Sequence, residues 1–219
     1  YFVTFSFLSS ISLLLVVPIN TALLPRIVKL YKEESFDKIN YYFQTIFSIN
    51  FLLIIANVLF ISLYSREILL IWTGDFELAE WSKQPLIFYN LGYSAAALIN
   101  TFMVYFYASG KLKFVTYAHF IWAISTITLF VISSLYLNVF YAGLFWFISN
   151  LCFLIAISLR FFQLSFHQIN WRNIIYNFSK ILFIGLAFYL INYIFRENLI
   201  FLNRLLLLIL IFIMYFLFA

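Results

Sequence analysis

Charge is what this chain has least of. Asp, Glu, Lys and Arg together make up 10% of its 219 residues. A soluble domain carries about a quarter. Hydrophobic residues make up 66%, and a water-soluble fold of that composition would have no polar exterior to offer. Glycine is sparse too, at 5, and no Gly-rich phosphate loop occurs. The 1 cysteine, Cys152, excludes an intrachain disulfide. In its apolar segment it reads as a small core or lipid-facing residue. The 2 histidines, His119 and His167, are far apart, and neither has a metal-ligand spacing. His119 reads as a satisfied interfacial histidine and His167 as a solvated loop residue. No catalytic constellation emerges, so no enzyme activity, metal or cofactor is expected. The first residue is Tyr, with no basic n-region before the first apolar run and no small-residue cleavage site after it, which argues against a signal peptide. The chain reads as a fragment lacking an N-terminal part.

What is present is a series of long apolar runs. A membrane-spanning helix needs about 20 apolar residues. Spans are expected near residues 2–24, 42–64, 85–108, 114–136, 141–159, 174–194 and 201–218, with Asn138 as the break in a charge-free stretch. The fold class is therefore all-α: a polytopic transmembrane helical bundle of about seven spans, forming one domain over residues 1–219. Lys180 and Arg204 lie close to proposed span ends. Their long side chains can snorkel to the interface.

The net charge of +5 does not point to nucleic acid, because the cations sit in short loops between spans. If the first loop is cytoplasmic, one side holds Arg26, Lys29, Lys32, Lys38, Lys111, Lys113, Arg160, Arg172 and Lys180. The other holds only Arg66, Lys83, Arg196 and Arg204. The positive-inside rule then puts the N-terminal end outside and the C-terminal end in the cytoplasm. The loop at residues 65–84 differs from the others. Ile68, Leu69, Ile71 and Trp72 recur at helical spacing before Gly74, which reads as a short interfacial helix and a glycine stop. Trp72 and Trp81 suit the membrane–water boundary. Asp75, Glu77 and Glu80 read as a solvated charge run.

Polar groups inside the spans are mainly amides: Asn20, Asn50, Asn57, Asn90, Asn100, Asn150 and Asn192. In hydrocarbon each must find another helix, a backbone carbonyl or water. Together they predict tightly associated helices or a hydrated cavity. The stretch Pro18-Ile19-Asn20-Thr21-Ala22-Leu23-Leu24-Pro25-Arg26 concentrates such features. Pro18 removes a helical hydrogen bond, and Pro25 biases the chain away from straight helix before Arg26. Arg26 and Lys29 share a face if helix continues. Two readings stand: the pair holds a phosphate at a cavity mouth, or it only sets topology.

Asn20-Thr21-Ala22-Leu23-Leu24-Pro25-Arg26, followed by a loop with Ser35 and Phe36, resembles the end of the eighth helix of polysaccharide and oligosaccharide flippases. These belong to the multidrug/oligosaccharidyl-lipid/polysaccharide exporter superfamily. Ser65-Arg66-Glu67-Ile68-Leu69 through Gly74-Asp75-Phe76 resembles its external loop, and Tyr107-Ala108-Ser109-Gly110-Lys111 the turn closing its tenth helix. The resemblance implies the second half of a two-lobed MATE-like transporter. That transporter would move a polyprenyl-pyrophosphate-linked oligosaccharide across the cell membrane by alternating access, its tail staying in membrane lipid. The N-terminal half of the same chain would be its partner lobe. The implied substrate-binding residues are Asn20, Thr21, Arg26 and Lys29, with Asn57 and Asn100 as additions.

Two alternatives differ in what they require. A drug or cation exporter of the same superfamily needs a carboxylate in a span, and all 8 acidic residues lie outside the expected spans. A membrane-embedded glycan polymerase or transferase needs a large external loop with catalytic groups, and residues 65–84 contain no His.

Overall fold

A computed structural model of the protein describes residue 6 and residues 10–136, 140–165 and 171–194. Six helices cover nearly all of them: α1 (Ile11–Lys32), α2 (Phe36–Thr73), α3 (Phe76–Ala108), α4 (Leu112–Tyr136), α5 (Phe140–Ser165) and α6 (Trp171–Ile194). Helix is what long apolar runs must form in lipid, since only a helix or a closed barrel satisfies its own backbone there. Among the described residues, 5 helices are long and apolar enough to span, and α6 contains a shorter apolar stretch, Phe178–Ala187. The expected seventh span, 201–218, and the break at Asn138 lie outside the described residues.

Helix ends depart from expectation where polar residues extend an apolar run. α1 continues through Pro18 and Pro25 to Lys32 rather than stopping near residue 24. The prolines deprive only the carbonyls four residues earlier, those of Leu14 and Thr21, of a backbone donor. All four residues lie on the exposed face of α1, so neither proline ring meets a packed neighbour. α2 absorbs the short helix expected at Ile68–Trp72. The two are continuous across a break at Tyr64 (φ −118°, ψ 16°). At 38 residues, α2 would be about 57 Å long, well beyond a hydrocarbon core of about 30 Å. Gly74 ends it in the left-handed conformation (φ 66°), its N–H on the Leu70 carbonyl at 2.8 Å, as glycine after a helix does most readily. Asp75 then caps α3 by accepting from the Leu78 N–H at 3.0 Å, which lets α3 begin at Phe76 rather than near residue 85.

α3 is the central helix, packing against α1, α2, α4 and α5, and α6 packs on α2. Glycine lets α3 and α5 approach closely. A Cβ at Gly92 would stand 2.3 Å from Trp146 Cδ1, and one at Gly143 would stand 3.0 Å from the Pro85 carbonyl oxygen. Towards one end the core is aromatic. Phe161 of α5 is fully buried and lies 4.8 Å from Phe43, 5.0 Å from Phe102 and 4.9 Å from Tyr105, centroid to centroid. Lipid is as apolar as these rings, so close packing rather than water exclusion holds the helices together here. The outer face of α4 is the reverse of a soluble surface: Tyr117, Ile121, Ile124, Ile127, Val131 and Leu135 are all exposed. Their helical spacing makes one lipid-facing stripe.

Candidate functional site

α1 has two faces with different chemistry. Ser12, Val16, Asn20, Ile27 and Leu30 are buried. Pro18, Thr21, Pro25, Arg26 and Lys29 are exposed and recur at the opposite helical spacing. The six residues implicated by the sequence divide along this line.

Asn20, Asn57 and Asn100 fall inside the α1–α2–α3 interface, in two separate polar clusters. In the first, Asn20 Nδ2 donates to Asn100 Oδ1 at 2.8 Å. Asn50 Nδ2 donates to Asn20 Oδ1 at 2.8 Å and to Thr101 Oγ1 at 3.0 Å. In the second, Asn57 Nδ2 donates to Ser12 Oγ at 2.8 Å and to Asn90 Oδ1 at 2.7 Å, and the Ser12 and Ser94 hydroxyls bond at 3.0 Å. Asn50, Asn90, Ser12 and Thr101 are fully buried. These amides bond one another across three helices, the interhelical alternative to a hydrated cavity. Two acceptor and donor positions in the clusters, Asn50 Oδ1 and Asn90 Nδ2, have no protein partner among the described residues.

Sequence reasoning did not single out Ser12, Ser94 and Thr101 as partners. The signal was spacing: residues 50 and 57 share a face of α2, and residues 90, 94 and 101 share a face of α3. Asn150 differs from the other amides in donating to a carbonyl of its own helix, that of Trp146, at 2.9 Å.

Thr21, Arg26 and Lys29 occupy the exposed face. The Thr21 hydroxyl donates to the Val17 carbonyl at 2.8 Å. Arg26 places its guanidinium 4.4 Å from the Tyr42 ring centroid, a cation–π contact that orients the group without neutralising it. Lys29 Nζ lies 3.8 Å from Glu33 Oε1 with both side chains exposed, and such a pair holds little energy in water. Arg26, Lys29, Glu33, Asp37, Lys38 and Tyr42 line a cleft of about 540 Å³ where α1 turns into α2. The cleft is of mixed charge, with Glu33 and Asp37 among its cations. It can engage a phosphate through its cations and sugar hydroxyls through its carboxylates and tyrosines.

The other singled-out groups have local partners. Lys180 is exposed on α6, with its ammonium 4.4 Å from the Tyr176 ring centroid. His119 Nδ1 lies 2.9 Å from the Val115 carbonyl oxygen, with its ring edge-on to Phe153. Glu80 is exposed but not idle: it pairs with Arg66 of α2 at 3.0 Å and with Lys83. Cys152 is exposed on α5. His167 lies outside the described residues.

The MatE family model matches residues 1–132 of this chain, which take in α1, α2, α3 and most of α4. No curated protein and no solved structure matches it.

Proposed function

The chain belongs to the MatE family and is a multi-pass membrane transporter of the MATE superfamily; from that premise we propose that it is a flippase for lipid-linked oligosaccharides. Family members are transporters rather than enzymes, so the question is the cargo. In this reading the exposed face of α1 lines a cavity shared with a second helical lobe, the N-terminal half of the same transporter. Arg26 and Lys29 hold the pyrophosphate of a polyprenyl-pyrophosphate-linked oligosaccharide, Thr21 meets its sugar hydroxyls, and the prenyl tail stays in membrane lipid.

The observation that carries the proposal is the composition of that face. Two prolines, a threonine and two cations run along it, whereas α4 presents only apolar and hydroxyl groups over most of its exposed length. Arg26 stands ahead of the last turn of α1, which holds Lys29 and Lys32, and a helix turned wholly to lipid gains nothing from an exposed cation there. Asn20, Asn57 and Asn100 take a different role: they hold α1 to α2 and α3, so the face moves as one body with them. Drug and cation exporters belong to the same superfamily. Cation binding within the membrane is ordinarily carried by a buried carboxylate, and among the described residues the buried polar side chains are amides and hydroxyls.

The test uses the full-length transporter in cells that depend on it for surface glycan. Arg26→Ala combined with Lys29→Ala should lower the lipid-linked oligosaccharide reaching the outer leaflet by about tenfold or more, the scale of one lost charge-assisted hydrogen bond. Membrane levels of the protein should not change. Undiminished export at equal protein level would overturn the phosphate role. Efflux of a cationic dye with no effect on glycan would move the cargo to the drug class.

A further inference from the structure

The same end of the bundle carries a second cleft with a different charge pattern. It opens where α3 turns into α4 and meets the end of α5. Its volume is about 610 Å³, and it is lined by Lys111, Lys113, Arg160, Leu112, Phe114 and Leu164. Unlike the cleft of Arg26 and Lys29, it has three cations and no carboxylate among its described lining residues. Lys111 is half-buried, and burial and the neighbouring Arg160 guanidinium push its ammonium below the ordinary lysine range. Lys111 and Lys113 also flank the first residue of α4, Leu112. A helix N-terminus carries partial positive charge, so cations there are unfavourable and an anion is favoured. Lys111 and Lys113 thus stand beside like charge with no carboxylate among the described lining residues, and such local conflicts mark functional positions.

The remainder of the cleft is apolar. Leu112, Phe114 and Leu164 supply its apolar lining, and Phe114 packs on the aromatic core. Arg160 is held over the Phe114 ring at 5.7 Å, and its Nη1 donates to Gln163 Oε1 at 3.2 Å. Three cations beside apolar side chains, next to the exposed apolar stripe of α4, match a molecule with a phosphate at one end and hydrocarbon at the other. We propose that this cleft binds the phosphate of an anionic membrane phospholipid, with Lys111, Lys113 and Arg160 around the head group and the acyl chains along α4 and α5. The bound lipid supplies the missing counter-charge and pins the α3–α4 turn to the end of α5. The site is separate from α1 and would stand whichever cargo the transporter carries.

Native mass spectrometry of the full-length transporter, released from nanodiscs of phosphatidylcholine containing phosphatidylglycerol, tests this. Wild-type protein should retain phosphatidylglycerol. Lys111→Gln with Arg160→Gln should lower retention about tenfold, the scale of losing two cations at a membrane surface. Lys113→Gln alone, at an exposed position, should give a smaller fall. Lys32→Gln with Arg172→Gln removes equal charge elsewhere and should retain lipid like wild type. In nanodiscs of phosphatidylcholine alone, the Lys111→Gln, Arg160→Gln protein should melt no lower than wild type, because a like-charge conflict has gone. Equal retention by all variants, or equal loss from the two double variants, would overturn the proposal. Millimolar inorganic phosphate should not raise the Tm of wild-type protein in phosphatidylcholine. If phosphate raised it, the site would be one for soluble phosphate and the lipid assignment would be wrong.

Discussion

Asn50 shows how much one side chain can determine in a membrane interior. It is fully buried on α2, and its amide donates to Asn20 of α1 and Thr101 of α3 at once. Removing it would take the amide donor from both Asn20 Oδ1 and Thr101 Oγ1. Interhelical hydrogen bonds in bilayers are individually modest, because the separated helices also find partners. Asn50→Ala should therefore lower stability by about 1–2 kcal/mol. A double-mutant cycle with Asn20→Ala should give a coupling of about 0.6–1.7 kcal/mol, read from reversible unfolding in mixed micelles. A coupling of zero would mean that the two amides do not bond in the membrane.

Between elements, glycine sets the distance. α3 and α5 make their closest approach where Gly92 meets Trp146 and Gly143 meets Pro85 and Tyr89. An indole is rigid, and the Phe147 backbone nitrogen, 3.2 Å from the would-be Cβ of Gly92, stops it from simply sliding away. Gly92→Ala should force the helices apart, with an overpacking penalty of about 1–3 kcal/mol. Gly185 is a built-in comparison: a Cβ there would meet only side chains, the Ile55 Cγ2 methyl at 3.0 Å and the Leu59 Cδ1 methyl at 3.5 Å, and no neighbouring backbone. Thermal melting in detergent should rank Gly92→Ala as more damaging than Gly185→Ala. The opposite order would show that the α3–α5 contact is looser than the geometry implies.

For the whole molecule, the arrangement of cations suggests which side faces the cytoplasm. Both clefts lie at the end where α1 turns into α2 and α3 into α4, and Arg26, Lys29, Lys38, Lys111, Lys113 and Arg160 line them. The α2–α3 turn, with Asp75 and Glu77, lies at the opposite end. By the positive-inside rule we propose that the cleft end is cytoplasmic. In a Cys152→Ser background, Glu77→Cys should react with a membrane-impermeant maleimide added to intact cells. Lys32→Cys should react only after permeabilisation. The reverse labelling pattern would invert the proposed topology and move both clefts to the outer leaflet.

Helix existence was determined by the sequence alone, because an apolar run in lipid has no other way to bond its backbone than within itself. Five of the six described helices hold an apolar stretch long enough to span, where the apolar runs predict one; α6, with Lys180 inside it, holds only a shorter one, and Gly74 stops α2 as its position implies. Helix ends were less legible. Hydropathy marks where hydrocarbon stops, whereas a helix continues until its backbone is capped, as α3 shows by starting at Phe76, directly after its Asp75 cap. Spacing alone also could not divide the candidate residues of α1. Asn20 and Thr21 are adjacent in the chain, yet Asn20 is buried against Asn50 and Asn100 while Thr21 is exposed beside the prolines. Only the tertiary structure decides which face of α1 meets α2 and α3. That choice depends on side chains from three helices fitting together at once, and no single stretch of sequence contains it.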